Sequence, residues 1–288
     1  MADTTQLSVR LSDGRRLGYS EAGPSDGRSL LYFHGIPGSR MERHPETDVL
    51  DAIGVRLIAL ERPGYGLSSP QPARQLSYWP ADVAAFADLL GLDQFAVLGF
   101  SGGGPYALAC ARAMPRRITA TVVVSCPAPY AAMEHIPERL GLFELARDAP
   151  PQAITLLREI ASSGDQLYSL MSGAMGDAES RVMRAAALTA MYRRNMDEAV
   201  CQGVEGMARD MALIAGDWGF DISEIRSPVE LWHGLEDSFT PPSMGRYLAQ
   251  KLPSCRSKFL PGEGHFLLFP LWREVLTCSA REQKCDGY

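Results

Sequence analysis

Polar and apolar residues alternate with a period of two along Leu7-Ser8-Val9-Arg10-Leu11, break at Asp13-Gly14 and resume at Arg16-Leu17-Gly18-Tyr19. This is the pattern of a hairpin closed by a tight turn, and it predicts an antiparallel edge to a sheet. Short apolar runs bounded by turn residues follow at residues 30–33, 55–60, 95–98, 118–124 and 229–232, with a further strand at Ser257-Lys258-Phe259-Leu260. Runs of this length without alternation suit parallel strands buried on both faces. Between them, apolar residues take helical spacing over 79–90, over the Ala-rich stretch 106–114 that ends at Pro115, and over 243–252, and a last helix is expected after His265. Alternating strands and helices predict an α/β fold: a mostly parallel, doubly wound sheet with an antiparallel N-terminal hairpin.

The alternation stops between about residues 129 and 214. No strand pattern appears there, and the segments around Leu140, Ile154, Met183 and Met207 read as amphipathic or Ala/Met-rich helices. An all-helical insertion whose ends join two strands of one sheet is expected to sit as a lid over the edge where those strands finish. The division is therefore a core domain in two parts, 1–128 and 216–288, around a helical cap insertion, 129–215. Eight of the twelve methionines fall in the insertion, either as an adaptable apolar wall or as ordinary helix packing. Trp218 and Phe220, where the insertion returns, are expected to dock it on the sheet. Arg181, Arg184, Arg193 and Arg194 read as a solvated helix face, with attraction of an acidic substrate as the alternative. The polar tail 282–288 is expected to fray.

Charge narrows the partners. The 28 Lys and Arg against 34 Asp and Glu leave a net charge of −6, with no basic stripe to neutralise a phosphate backbone, so nucleic acid is excluded as a partner. The longest apolar runs fall far short of the ~20 residues of a spanning helix, and the start Met-Ala-Asp-Thr-Thr-Gln is polar, so no membrane span and a cytoplasmic location are expected. Six cysteines at irregular spacings, with no Cys-x-x-Cys, argue against a zinc site or a disulfide framework; Cys110 and Cys126 are expected to be buried. The partner implied is a small-molecule substrate, and the sequence carries no signal of oligomeric state.

The chemistry concentrates at the ends of the predicted strands. Gly99-Phe100-Ser101-Gly102-Gly103 is a G-x-S-x-G that directly follows an apolar strand and opens an Ala-rich helix. A Ser at such an elbow sits in strained backbone, so Gly99 and Gly103 meet a steric demand, and Gly102 presents an N–H at the helix N-terminus. After another strand comes His34-Gly35-Ile36-Pro37-Gly38, where the Ile36 N–H is the expected second oxyanion donor. Gly35 lets the chain bend there, and His34 structures the loop. His265, in Pro261-Gly262-Glu263-Gly264-His265-Phe266, is the candidate base. Asp237, in the turn after Trp232-His233-Gly234, is favoured over Glu236 as the candidate acid. Phe100 and Phe266 flank nucleophile and base, as substrate contacts or as core.

These motifs, with Arg62-Pro63-Gly64-Tyr65-Gly66-Leu67-Ser68, resemble the α/β-hydrolase fold superfamily over about residues 6–280. In that family the corresponding positions supply oxyanion loop, structural turn, nucleophile, acid and base, and the resemblance implies that the helical insertion caps the active site. Ser101 at the elbow sets the chain apart from epoxide hydrolases and haloalkane dehalogenases, which attack with a carboxylate. The expected mechanism uses no metal and no organic cofactor. Ser101 attacks a carbonyl while His265 takes its proton and Asp237 fixes the imidazole tautomer, giving an acyl-enzyme. The expected reaction is carboxylic-ester hydrolysis, extending to lactones or thioesters, on a small to medium apolar substrate. The alternatives are a proline iminopeptidase-like aminopeptidase, a carbon–carbon bond hydrolase, a hydrolase-like ligand receptor and, from the same residues, perhydrolase or haloperoxidase chemistry.

Overall fold

The computed structural model describes residues 4–279. Its strands are β1 (Thr4–Arg10), β2 (Arg16–Ala22), β3 (Arg28–Phe33), β4 (Val55–Leu60), β5 (Phe95–Phe100), β6 (Ile118–Val124), β7 (Val229–Gly234) and β8 (Cys255–Leu260). They form one sheet in the order β1-β2-β4-β3-β5-β6-β7-β8. β1 and β2 pair antiparallel across a turn where Gly14 takes φ +86°, β2 runs antiparallel to β4, and every other pair is parallel. All the strands anticipated from hydrophobic pattern are present.

The unbroken apolar runs follow from burial on both faces. Leu30 and Tyr32 of β3, Leu57 and Ala59 of β4, and Ala96, Leu98 and Phe100 of β5 join one core. Their neighbours Leu31 and Phe33, Ile58 and Leu60, and Phe95 and Val97 join the other. On the first face lie α1 (Asp48–Ile53), the helices between β6 and β7, and α11 (Trp272–Ser279); on the second lie α2 (Trp79–Leu89), α3 (Gly104–Ala113) and α10 (Pro242–Lys251).

Between β6 and β7 the chain is helical throughout its regular structure: α4 (Gly141–Asp148), α5 (Pro150–Ile160), α6 (Gly164–Gly173), α7 (Asp177–Val182), α8 (Ala186–Val200) and α9 (Glu205–Ala215). Four helical centres were legible in the sequence and six helices form. α6 starts at the Ser163 side chain, which accepts the Gln166 N–H, and α8 buries a single stripe, Leu188, Met191, Tyr192, Asn195, Met196, Ala199 and Val200, whose apolar signal the polar Asn195 interrupts. Met183, Met191, Met196, Met207 and Met211 are buried among these helices, so they serve packing. Trp218 is buried, donates Nε1–H to the Ile214 carbonyl and packs against Phe220, docking the returning chain. Cys110 and Cys126 are buried and reduced. The tail from Glu282, with Cys285, lies outside the described residues. Among the described residues no helix is long and apolar enough to cross a membrane.

The site is placed by strand order. From β3 the chain steps to β4 on one side, then returns to put β5 on the other, so the loops leaving β3 and β5 diverge at one point of the sheet edge. Register brings the carboxyl ends level, with Phe33 beside Gly99, Phe100 beside Val124, Val124 beside Trp232, and Gly234 beside Leu260. The residues that follow each end therefore share one crevice.

Candidate active site

Ser101 follows β5 at φ +50°, a left-handed conformation uncommon for a residue with a side chain. The turn is possible because its neighbours are small. A Cβ on Gly99 would strike the Gly103 carbonyl, and one on Gly103 would strike the Phe33 carbonyl. The turn delivers Ser101 Oγ to 2.9 Å from His265 Nε2. His265 Nδ1 lies 3.0 and 2.9 Å from the two Asp237 carboxylate oxygens. With Nδ1–H donating to Asp237, Nε2 is left to accept from Ser101. Thus Ser101, Asp237 and His265, from the ends of three strands, meet in one hydrogen-bonded chain.

Asp237 is buried, while its neighbour Glu236 is exposed. The carboxylate also accepts the Phe239 and Thr240 N–H groups at 2.9 and 2.7 Å, an Asx-type turn. Burial works to raise its pKa, but the facing His265, His233 and the Thr240 N–H outweigh burial and hold it below the usual value. His233, fully buried, sits 3.0 Å from the Thr240 carbonyl and closes the same turn.

Ile36 and Gly102 face each other beside Ser101. A Cβ on Gly102 would lie 2.6 Å from the Ile36 side chain, and both line a cavity with Ser101. Gly102 stands in the first turn of a helix, where backbone N–H groups lack intrahelical acceptors. The cavity is about 20 Å³, walled by Pro127, Tyr130, Leu140, Phe143, Thr240 and Met244. Phe100 and Phe266 are not among its lining residues. Both are buried in the core, with Phe100 5.2 Å and Phe266 5.7 Å from the His265 ring, so they pack around the imidazole. A larger cavity of about 260 Å³, between the 64–74 loop and α4, α5 and α9, contains none of the expected site residues.

His34 structures its loop. It is fully buried, its Nδ1 meets the Gly35 carbonyl at 2.9 Å, and its Nε2 accepts the Arg62 N–H. Burial, helped by the nearby Arg62, pushes its pKa well down, so the ring is neutral. Arg62 adds side-chain bonds to the His34 and Gly35 carbonyls at 2.5 and 2.8 Å and an ion pair to Asp210 of α9. Gly35 also donates its N–H to Glu42 at 2.6 Å.

Several supporting residues carried no sequence signal. Glu42 accepts from Gly35, from the Tyr32 hydroxyl and from Asn195 of α8, whose amide oxygen takes the Ser39 hydroxyl. Asp210 accepts from Arg62, Arg74 and Tyr106. Ser125, at φ +50° after β6, donates its hydroxyl to the His265 carbonyl at 2.8 Å. Glu179 of α7 accepts the His265 N–H at 2.7 Å. Of the four arginines Arg181, Arg184, Arg193 and Arg194, all exposed, Arg181 bonds the Gly262 carbonyl and Arg193 pairs with Asp165 while lying over the Tyr168 ring.

A sequence model described as the alpha/beta hydrolase fold matches residues 28–270. A non-heme chloroperoxidase of Streptomyces lividans is 36% identical over 124 residues, which are 42% of this chain and 45% of that protein. A non-heme haloperoxidase of Rhodococcus erythropolis is 27% identical over 265 residues, covering 89% of this chain and 92% of the relative. Among solved structures, a hydrolase from Pseudomonas aeruginosa superposes with a TM-score of 0.74 at 20% identity, covering 94% of this chain and 96% of that one, a likeness of fold.

Proposed function

Because this chain belongs to the alpha/beta hydrolase fold family, we propose that it is a serine hydrolase that cleaves carboxylic esters through an acyl-enzyme on Ser101, with residues 129–215 as a cap over the site. The observation that carries this reading is the continuous chain Ser101 Oγ, His265 and Asp237, with no contact longer than 3.0 Å, at a residue whose backbone is bent to present its hydroxyl. A serine hydroxyl is a weak nucleophile until a base removes its proton as it attacks, and His265 Nε2 is within reach to do so. Asp237 holds the opposite nitrogen, fixes the tautomer and stabilises the imidazolium. The Ile36 and Gly102 N–H groups receive the negative charge on the carbonyl oxygen, each such donor contributing about 3 kcal/mol in related sites. His265 then protonates the departing alkoxide, leaving the acyl group on Ser101; next it takes a proton from a water that attacks the acyl carbonyl, and returns that proton to Ser101 Oγ as the bond to the acyl carbon breaks and the carboxylic acid leaves. The narrow apolar cavity at Ser101 favours short acyl groups such as acetyl.

A second reading is favoured by the two haloperoxidase relatives. In it hydrogen peroxide replaces water in attack on the acyl-enzyme, releasing a peracid and free Ser101. Both readings share the covalent intermediate. Its test is mass spectrometry of the protein after a fluorophosphonate, which should add one label at Ser101 and none in Ser101→Ala. A label elsewhere, or none in the wild type, contradicts both. Peracid formation on adding peroxide to acetate or an acetyl ester separates the second reading from the first.

A further inference from the structure

We propose that Glu179, in α7 and far in sequence from the strand ends, is a positioning residue that couples the helical cap to the Asp237–His265 pair. The inference rests on the ester-hydrolase reading of Ser101, Asp237 and His265.

Glu179 is fully buried, and its carboxylate accepts three backbone N–H groups. Oε2 accepts the Gly176 N–H at 3.1 Å, so the third residue of α7 reaches back to the backbone of its N-cap. Oε1 is surplus to that local role. It accepts the N–H of His265 at 2.7 Å and of Ser238, next to Asp237, at 3.1 Å. One oxygen atom from the cap therefore spans the two loops that carry the acid and the base. The His265 carbonyl is held from the opposite side by the Ser125 hydroxyl, so the main chain of this residue is gripped on both its polar groups.

The surrounding contacts are shaped to this arrangement. Oε1 occupies the space a Cβ on Gly264 would need, and such a Cβ would also lie 2.8 Å from Ala178 Cβ. Arg181, one half-turn on, donates to the Gly262 carbonyl, and the Gly176 N–H also reaches the Ser238 hydroxyl at 3.3 Å. Acid and base must keep their mutual geometry within a fraction of an ångström for proton transfer. Two loops held by a shared acceptor move together; without it, the buried His265 N–H and the half-buried Ser238 N–H each lose their acceptor, and the loops relax independently. None of the residues lining the cavity beside Ser101 is Glu179, so its loss should act on turnover and spare substrate affinity.

The test compares Glu179→Gln with Glu179→Met, which have similar volume and no charge; Gln keeps the carbonyl acceptor that Met lacks. Steady-state hydrolysis of p-nitrophenyl acetate is normalised to sites titrated by a fluorophosphonate, which counts only folded, competent protein. The His265 Nδ1–H proton bonded to Asp237 is followed by NMR. Expected is a fall in kcat per site of at least tenfold for Glu179→Met, with KM within about threefold and the proton signal shifted or lost. Glu179→Gln should recover kcat to within about threefold of wild type and restore the signal. Should Glu179→Met yield no titratable sites, Glu179→Asp, one methylene short of the loops, is expected to show the same loss. Equal kcat per site for the acceptor and its replacement, with an unmoved proton signal, overturns the inference. Turnover surviving in Ser101→Ala overturns instead the ester-hydrolase reading on which it rests.

Discussion

The Gly35 amide donates to the buried carboxylate of Glu42 at 2.6 Å, one residue before Ile36, whose N–H is proposed to hold the oxyanion. Burial pushes the Glu42 pKa up to about 7, against the opposing pull of the Gly35 N–H, the Tyr32 hydroxyl, Arg62 and His265. In the unfolded chain a glutamate titrates near 4.5. Between these values the folded protein holds a proton that the unfolded chain has released. The contribution to stability is therefore full below pH 4.5, declines as pH rises through the interval, and is gone above about pH 7, a span on the order of 3 kcal/mol. Glu42→Gln should flatten this slope. Urea denaturation from pH 5 to pH 8 checks it, and parallel profiles for wild type and variant would contradict it.

Asp210 bridges two buried guanidiniums, Arg62 and Arg74, with 2.5 Å contacts to each, and accepts the Tyr106 hydroxyl at 2.6 Å. Burial alone would raise its pKa, yet the two arginines hold it well below the usual carboxylate range. Asp210→Ala leaves both cations buried without their counter-ion, which should cost about 3–5 kcal/mol in equilibrium denaturation. Since Arg62 grips the His34 and Gly35 carbonyls, kcat should fall as well. A loss below about 1 kcal/mol would mean that the cluster is not a structural hub.

The acid assignment separates neighbours. Asp237 faces His265 from inside the turn, whereas Glu236 is exposed and its backbone N–H donates to the Glu263 carbonyl. Asp237→Asn should lower kcat/KM for p-nitrophenyl acetate by roughly 10⁴-fold, because it favours the wrong imidazole tautomer. Glu236→Ala should stay within about threefold of wild type. Comparable losses at the two positions would reassign the acid.

The fold and the first line of the site were legible because each rests on local chemistry. Strands buried on both faces leave unbroken apolar runs, and a serine at positive φ needs Gly99 and Gly103 around it. Ser101, His265 and Asp237 each follow a strand, so their meeting followed from topology. The residues that hold them did not show themselves. Glu42, Glu179, Asn195 and Asp210 are polar positions scattered along loops and helices, and in sequence they look like solvated surface. Their burial is decided by which helix of the 129–215 segment lands on which loop, a long-range packing outcome that periodicity does not encode. The same limit applies to Phe100 and Phe266. Adjacency to Ser101 and His265 suggested substrate contact, but side chains alternate across a strand and turn with a helix, and both rings point into the core.

The central claim is that Ser101 is a nucleophile toward esters. The most direct measurement is the rate of hydrolysis of p-nitrophenyl esters from acetate to decanoate by wild type and Ser101→Ala side by side. The account predicts turnover greatest at the short end of the series and a loss of about 10⁴-fold or more in the variant at every chain length. Turnover unchanged in Ser101→Ala, or no turnover of any ester by the wild type, would contradict it.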